Sequence, residues 1–202
     1  MSFSTHLRAD VVVAMLAAGM LLWGSAETSI ANTREPVADN VQTKAASHPL
    51  LAGSRLLGEA SLRYWGLQIY HARLWTLPML QADQVVDHPL VLELQYQREL
   101  KGRAIAERSL SEMLRAGPIP EQQSQQWLAH MQRIFPDVKN GDRLTGQQHP
   151  GQGISFGLNG QPIGRVDDPE FARRFLGIWL APTTSQPDLR LALLGLSPAQ
   201  PR

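Results

Sequence analysis

The sequence contains no cysteine. That absence excludes disulfides, thiolate metal sites, a cysteine nucleophile and a lipidated N-terminal cysteine, so stability has to come from burial. An excess of one charge is missing too. The formal net charge is +1 and the basic residues are scattered, which leaves no electrostatic footprint for a phosphate polymer and argues against a nucleic-acid partner. The apolar run at the N-terminus, Val11 to Trp23, falls short of the roughly 20 residues that a membrane-spanning helix needs. The six histidines lack the spacing that puts two ligands on one helix face, so neither a metal nor a cofactor is expected.

What is present is a globular balance. Hydrophobic residues make up 43% and charged residues 18% of 202, enough apolar material for one stable core but little for two. His6 and Arg8 precede the run from Val11, and small residues follow it, which is the pattern of a secretory signal. Cleavage is expected after Ala26, with Ala31 as the second choice and an uncleaved anchor as the alternative. Residues 1–26 therefore read as a signal peptide and 27–48, polar and aperiodic, as a flexible leader. Residues 49–197 form the expected domain. Export without cysteines points to the periplasm, with no stable membrane span after processing.

Within the domain the hydrophobic period changes several times. Arg63 to Trp75 is rich in Tyr, Trp, Ile and Leu and lacks proline, and Leu90, Leu92, Leu94 and Tyr96 alternate with polar residues, so both stretches read as strands. After Gly102 a helix is expected with Ile105, Leu110, Met113 and Leu114 on one side, stopping at Gly117-Pro118. Pro120 then opens a second helix carrying Trp127, Leu128, Met131, Ile134 and Phe135. Asn140-Gly141 and Asn159-Gly160 are hairpin-type turn signals around strands near Leu144, at Ile154 to Leu158 and at Ile163 to Val166. Asp168-Pro169 caps a helix with Phe171, Phe175, Ile178 and Trp179 on one face. Ser185 and Asp188 stand at capping-box spacing before a last helix that ends at Gly195. Strands, two helices, strands and two helices make an α+β domain with a mainly antiparallel sheet covered by a helical layer.

Three segments carry a resemblance: Gly58 through Trp75, Phe135 through Gly146, and Phe171 through Gly195 with Ile178-Trp-Leu-Ala-Pro-Thr-Thr-Ser185 inside it. Together they resemble the chalcone isomerase-like family, and specifically its exported bacterial branch. The resemblance implies an open-faced β-sandwich with a cleft between sheet and helices. It also implies either isomerase chemistry, which closes chalcones to flavanones, or non-catalytic binding of fatty acids. In the family an arginine on an early strand faces the cleft and steers an anion. Arg63 matches it best, with Arg55 as the alternative. The isomerases' tyrosine and asparagine fall near Lys101 and Arg108, so neither group is reproduced. The hydroxyl near the final loop corresponds to Thr184 or Ser185.

These residues make a ligand site of Arg63, Tyr70, Tyr96 and Thr184, in which a guanidinium holds a carboxylate beside aromatic walls. Strand alternation sets Arg63 and Tyr70 on opposite faces, and a bulge near Gly66 would bring them together. Gly153-Ile-Ser155-Phe-Gly157 spells a nucleophile elbow. The hairpin signal that follows it leaves no helix, and no histidine follows Ser155, so hydrolase chemistry is rejected. Asp137, Asn140 and Asp142 lack the glutamate of a calcium loop and read as a solvated turn. The expectation is an exported, non-catalytic binder of a small apolar or amphipathic anionic ligand such as a fatty acid. An isomerase or lyase and a structural role in the envelope are the alternatives.

Overall fold

The computed structural model describes residues 48–78 and 88–196. The expected signal peptide and nearly all of the leader lie outside the described residues. His48, assigned to the end of the leader, is already buried in the domain.

One six-stranded sheet runs in chain order, every neighbouring pair antiparallel. Its strands are β1 (Arg55–Tyr64), β2 (Leu67–Thr76), β3 (Leu90–Tyr96), β4 (Arg143–His149), β5 (Gly153–Leu158) and β6 (Gln161–Val166). The helices are α1 (Gly102–Arg115) and α2 (Glu121–Ile134), between β3 and β4, then α3 (Pro169–Leu180) and α4 (Pro187–Leu193). The order is the expected one. The stretch from Arg63 to Trp75, read as one strand, instead holds a hairpin, because Trp65 and Gly66 adopt positive φ (52° and 77°) and Tyr64 pairs with Leu67.

Pairing aligns apolar rows on one face of the sheet. Ala60, Ala72, Leu94, Leu144 and Leu158 form one row, and Gly58, Leu74, Leu92, Gly146, Phe156 and Gly164 the next. The helices cover this face, with α4 against β1 and β2, α3 against β5 and α2 against β6. Phe175 of α3 is the hub, its ring 5.2 Å from Phe156, 5.6 Å from Phe171, 5.9 Å from Phe135 and 5.5 Å from Trp179. Burial of such rings supplies most of the driving force for the fold.

Local chemistry explains the ends of the elements. The Asp168 carboxylate caps α3 by accepting the Glu170 and Phe171 amides, and it also accepts the Trp127 indole N–H at 2.8 Å, which ties α2 to α3. Asn159-Gly160 (φ 52° and 82°) makes the expected β5–β6 turn. Asn140-Gly141 instead leads into β4, since two helices separate it from β3. The capping box at Ser185 does not form. Gln186 is the N-cap of α4, and the Gln186 amide donates to Thr184 Oγ1. On α1 the buried stripe runs through Ala106, Ser109 and Met113, while Leu114 is exposed.

Among the described residues no helix is long and apolar enough to cross a membrane.

Candidate functional site

The structure joins two of the four expected site residues. Tyr70 on β2 pairs across the sheet with Tyr96 on β3, and their rings meet edge to face at 6.1 Å. Tyr70 Oη accepts the Trp179 indole N–H at 2.9 Å. Burial pushes the Tyr70 phenol up to about 12 and the Tyr96 phenol higher still, so both keep their protons at neutral pH. Thr184 is not part of this group. Its hydroxyl donates to the Ile178 carbonyl at 2.6 Å and accepts from the Gln186 amide, which closes the end of α3.

Arg63 departs from expectation. The register slips between Leu62 and Arg63, because Leu62 pairs with Tyr70 and Arg63 with Gln68. Ile69 is therefore the extra residue, and the bulge sits on β2 rather than at Gly66. It does not turn the guanidinium inward, and both Arg63 and Arg55 are exposed. The anion socket expected at Arg63 is thus not a sheltered one. The pocket beneath the helices lined by Leu92, Leu94, Phe156, Phe175 and Trp179 holds only about 10 Å³, room for a single water.

The larger hollow lies on the opposite face of the sheet, where its volume is about 800 Å³. Pockets for small organic ligands run to roughly 300–1,000 Å³. Arg73, Glu93 and Thr145 are cross-strand neighbours on β2, β3 and β4 and line it, together with Trp75, the segment from His48 to Leu50, Leu56 and Arg143. Glu93 is buried, with Oε2 3.5 Å from His48 Nε2 and Oε1 3.1 Å from Arg73 Nη1. The His48 hydrogen bond is the largest influence holding its carboxyl below the usual 4.5. Arg73 and Arg143 act in the same direction, and burial acts against them. Arg73 also reaches Glu59 at 3.3 Å, and Glu59 in turn meets His71 at 3.0 Å.

Both oxygens of Glu93 are therefore engaged, and the cation with capacity to spare is Arg143, which has no ion-pair partner among the described residues. Across from it Leu50 and Leu56 leave 40% and 38% of their surface open. Trp75 completes the apolar wall, and its buried indole N–H finds no acceptor among the described residues. The hollow thus offers an apolar wall and a guanidinium with no ion-pair partner among the described residues. Sequence reasoning missed it because it followed the apolar face of β3. The signal was Glu93, a carboxylate placed mid-strand between Leu92 and Leu94.

Ser155 lies within β5 with no helix after it, contrary to the geometry of a nucleophile elbow. Its hydroxyl is 2.9 Å from His149 Nε2. Asp137 accepts from Lys101 and the Gly102 amide, and Asp142 from the Lys139 amide and Asn159. Among the described residues no cluster suited to a metal ion is found.

Comparison with known proteins places this architecture. The fold is similar to that of a fatty-acid binding protein from Arabidopsis thaliana, with a TM-score of 0.54 and 15% identity over 74% of this chain and 95% of the other. A protein of Haemophilus influenzae is 32% identical over 109 residues, 54% of this chain and 53% of its own length. The match thus spans about half the length of that curated relative. The chalcone isomerase-like family model matches residues 55–195, from the first residue of β1 to the turn that ends α4, and the chain belongs to that family.

Proposed function

We propose that this chain is an exported, non-catalytic carrier of a small amphipathic anion, such as a fatty acid, held in the hollow on the face of the sheet opposite α3. The observation that carries the reading is that Arg143, which has no ion-pair partner among the described residues, lines a space of ligand size together with an apolar wall of Leu50, Leu56 and Trp75. A carboxylate at Arg143 gains a charge-assisted contact, and a tail along Leu50 and Leu56 removes exposed apolar surface from water. The family and the fold of the plant fatty-acid binding protein support binding. Lys101 and Arg108 near the places of the isomerases' tyrosine and asparagine, and the committed Thr184 hydroxyl, count against isomerase chemistry. Export rests on the N-terminal pattern of charge, short apolar run and small residues.

Native mass spectrometry of protein recovered from its own compartment, with and without added fatty acid, tests the reading. Arg143→Ala is expected to weaken fatty-acid binding about tenfold, and Arg63→Ala to leave it unchanged. A protein that is always empty and ignores added fatty acid overturns the proposal. Loss of binding in Arg63→Ala but not in Arg143→Ala moves the site away from the hollow. The small volume of the pocket between β3–β5 and α3 favours a second reading, a structural or assembly role in the envelope. That reading predicts an empty protein.

A further inference from the structure

The hairpin joining β1 and β2 ends in three large apolar side chains that the fold leaves bare. Trp65 is 87% exposed, and Tyr64 and Leu67 are each 55% exposed. The rings of Tyr64 and Trp65 lie 6.3 Å apart, so the aromatic surface is continuous. Nothing comes within 4 Å of where a Cβ on Gly66 would stand. The tip projects free of the rest of the domain.

Trp65 also occupies a position that suits it badly. Its φ of 52° is in the left-handed region, where a Cβ crowds the following carbonyl and Asn or Gly is preferred. The same molecule shows the favoured solution: the β5–β6 turn has matching φ values, 52° and 82°, and uses Asn159-Gly160. At the β1–β2 turn the corresponding residues are Trp65 and Gly66. Exposed to water at a backbone position that disfavours it, the indole buries almost no surface in this fold.

Charge and size indicate what meets the tip. Between Ala60 and Tyr70 the one charged residue is Arg63, exposed beside the tip, and there is no carboxylate. The nearest acid on the strand, Glu59, is engaged by His71 and Arg73. Trp and Tyr flanked by a cation suit the headgroup boundary of a bilayer, where an amphipathic ring keeps one edge wet. A specific protein interface needs about 800 Å² from each partner. Three side chains on a two-residue turn supply far less, whereas a bilayer surface demands no shape complementarity. We infer that the β1–β2 tip is a membrane-contact finger, with Trp65, Tyr64 and Leu67 entering the interfacial layer and Arg63 meeting an anionic lipid headgroup. This goes beyond the binding reading and does not depend on it.

The test uses the full chain labelled with fluorotryptophan, with the Trp65 resonance assigned from Trp65→Phe. Vesicles of phosphatidylethanolamine and phosphatidylglycerol are expected to shield Trp65 from a water-soluble paramagnetic quencher. Buried Trp127 stays unquenched with or without vesicles, and Trp23 reports separately on the N-terminal run. Arg63→Gln should weaken the shielding about fivefold on these vesicles and have little effect on vesicles of phosphatidylcholine alone. A Trp65 resonance as accessible with vesicles as without them overturns the inference, whatever the N-terminal run does.

Discussion

The phenol of Tyr70 and the indole of Trp179 share a hydrogen bond of 2.9 Å that ties β2 to α3 across the seam between sheet and helices. Tyr70→Phe removes the acceptor and leaves a largely buried N–H unpaired, which costs about 1–3 kcal/mol. In urea unfolding, Tyr70→Phe combined with Trp179→Phe should cost less than the sum of the two single changes, because the double variant leaves no orphaned donor. Strict additivity would show that the bond contributes nothing.

In the turn that leads into the same strand the expectation is a gain. Trp65→Asn places a residue tolerant of positive φ where the turn requires it, and should raise stability by about 1 kcal/mol, or a melting midpoint by about 2–4 °C. An unchanged or lower midpoint would mean that the indole stabilises the turn after all.

Acid should loosen the floor of the hollow. The Glu93 carboxyl is held below its unfolded value of 4.5, chiefly by the His48 ring, with Arg73 and Arg143 adding to the effect against burial. Its contribution is therefore complete above that value and is lost as pH falls through the folded value, where the native state at last takes up the proton that the unfolded chain already holds. Glu93→Gln should lower stability by about 1–3 kcal/mol at neutral pH and flatten the acid limb of the stability curve. Parallel acid limbs in the two proteins would remove Glu93 from this role.

A methyl group on Gly58 would meet backbone rather than side chain. Its Cβ would lie 2.1 Å from the Ala192 carbonyl oxygen and 2.5 Å from that of Leu193. Gly58→Ala is therefore expected to push α4 off β1 at a cost of about 3 kcal/mol, visible as faster hydrogen exchange in residues 187–193. Exchange as slow as in the parent would show that the helix shifts without detaching.

Much of the fold was legible because its signals are local. Alternation at Leu90, Leu92, Leu94 and Tyr96 marks a strand, Asp168-Pro169 marks a helix start, and Asn159-Gly160 marks a turn. Each acts over a few residues and needs no partner elsewhere. The β1–β2 hairpin was not legible, because Trp65 is the wrong residue for its own turn and propensity points away from it. Of the expected site residues only Tyr70 and Tyr96 meet, on the helix-covered face and away from the hollow, and their inward direction follows from the pleat. Arg63 was misjudged because the slip at Ile69 depends on how two strands pair. The hollow depends on three strands side by side and on Glu93 recruiting both His48 and Arg73, a set of contacts that no single stretch of sequence specifies.

The strictly sequential strand order also has a consequence in time. β1 to β3 and β4 to β6 each form by successive chain reversals, the local pairing that closes fastest. The β3–β4 ladder is different, since the whole stretch from Gln97 to Asp142, with α1 and α2 inside it, must loop back before Val91 meets Gln147. Closure of that long loop carries the largest entropy penalty in the sheet, so the β3–β4 ladder is expected to form after the hairpin-linked strands.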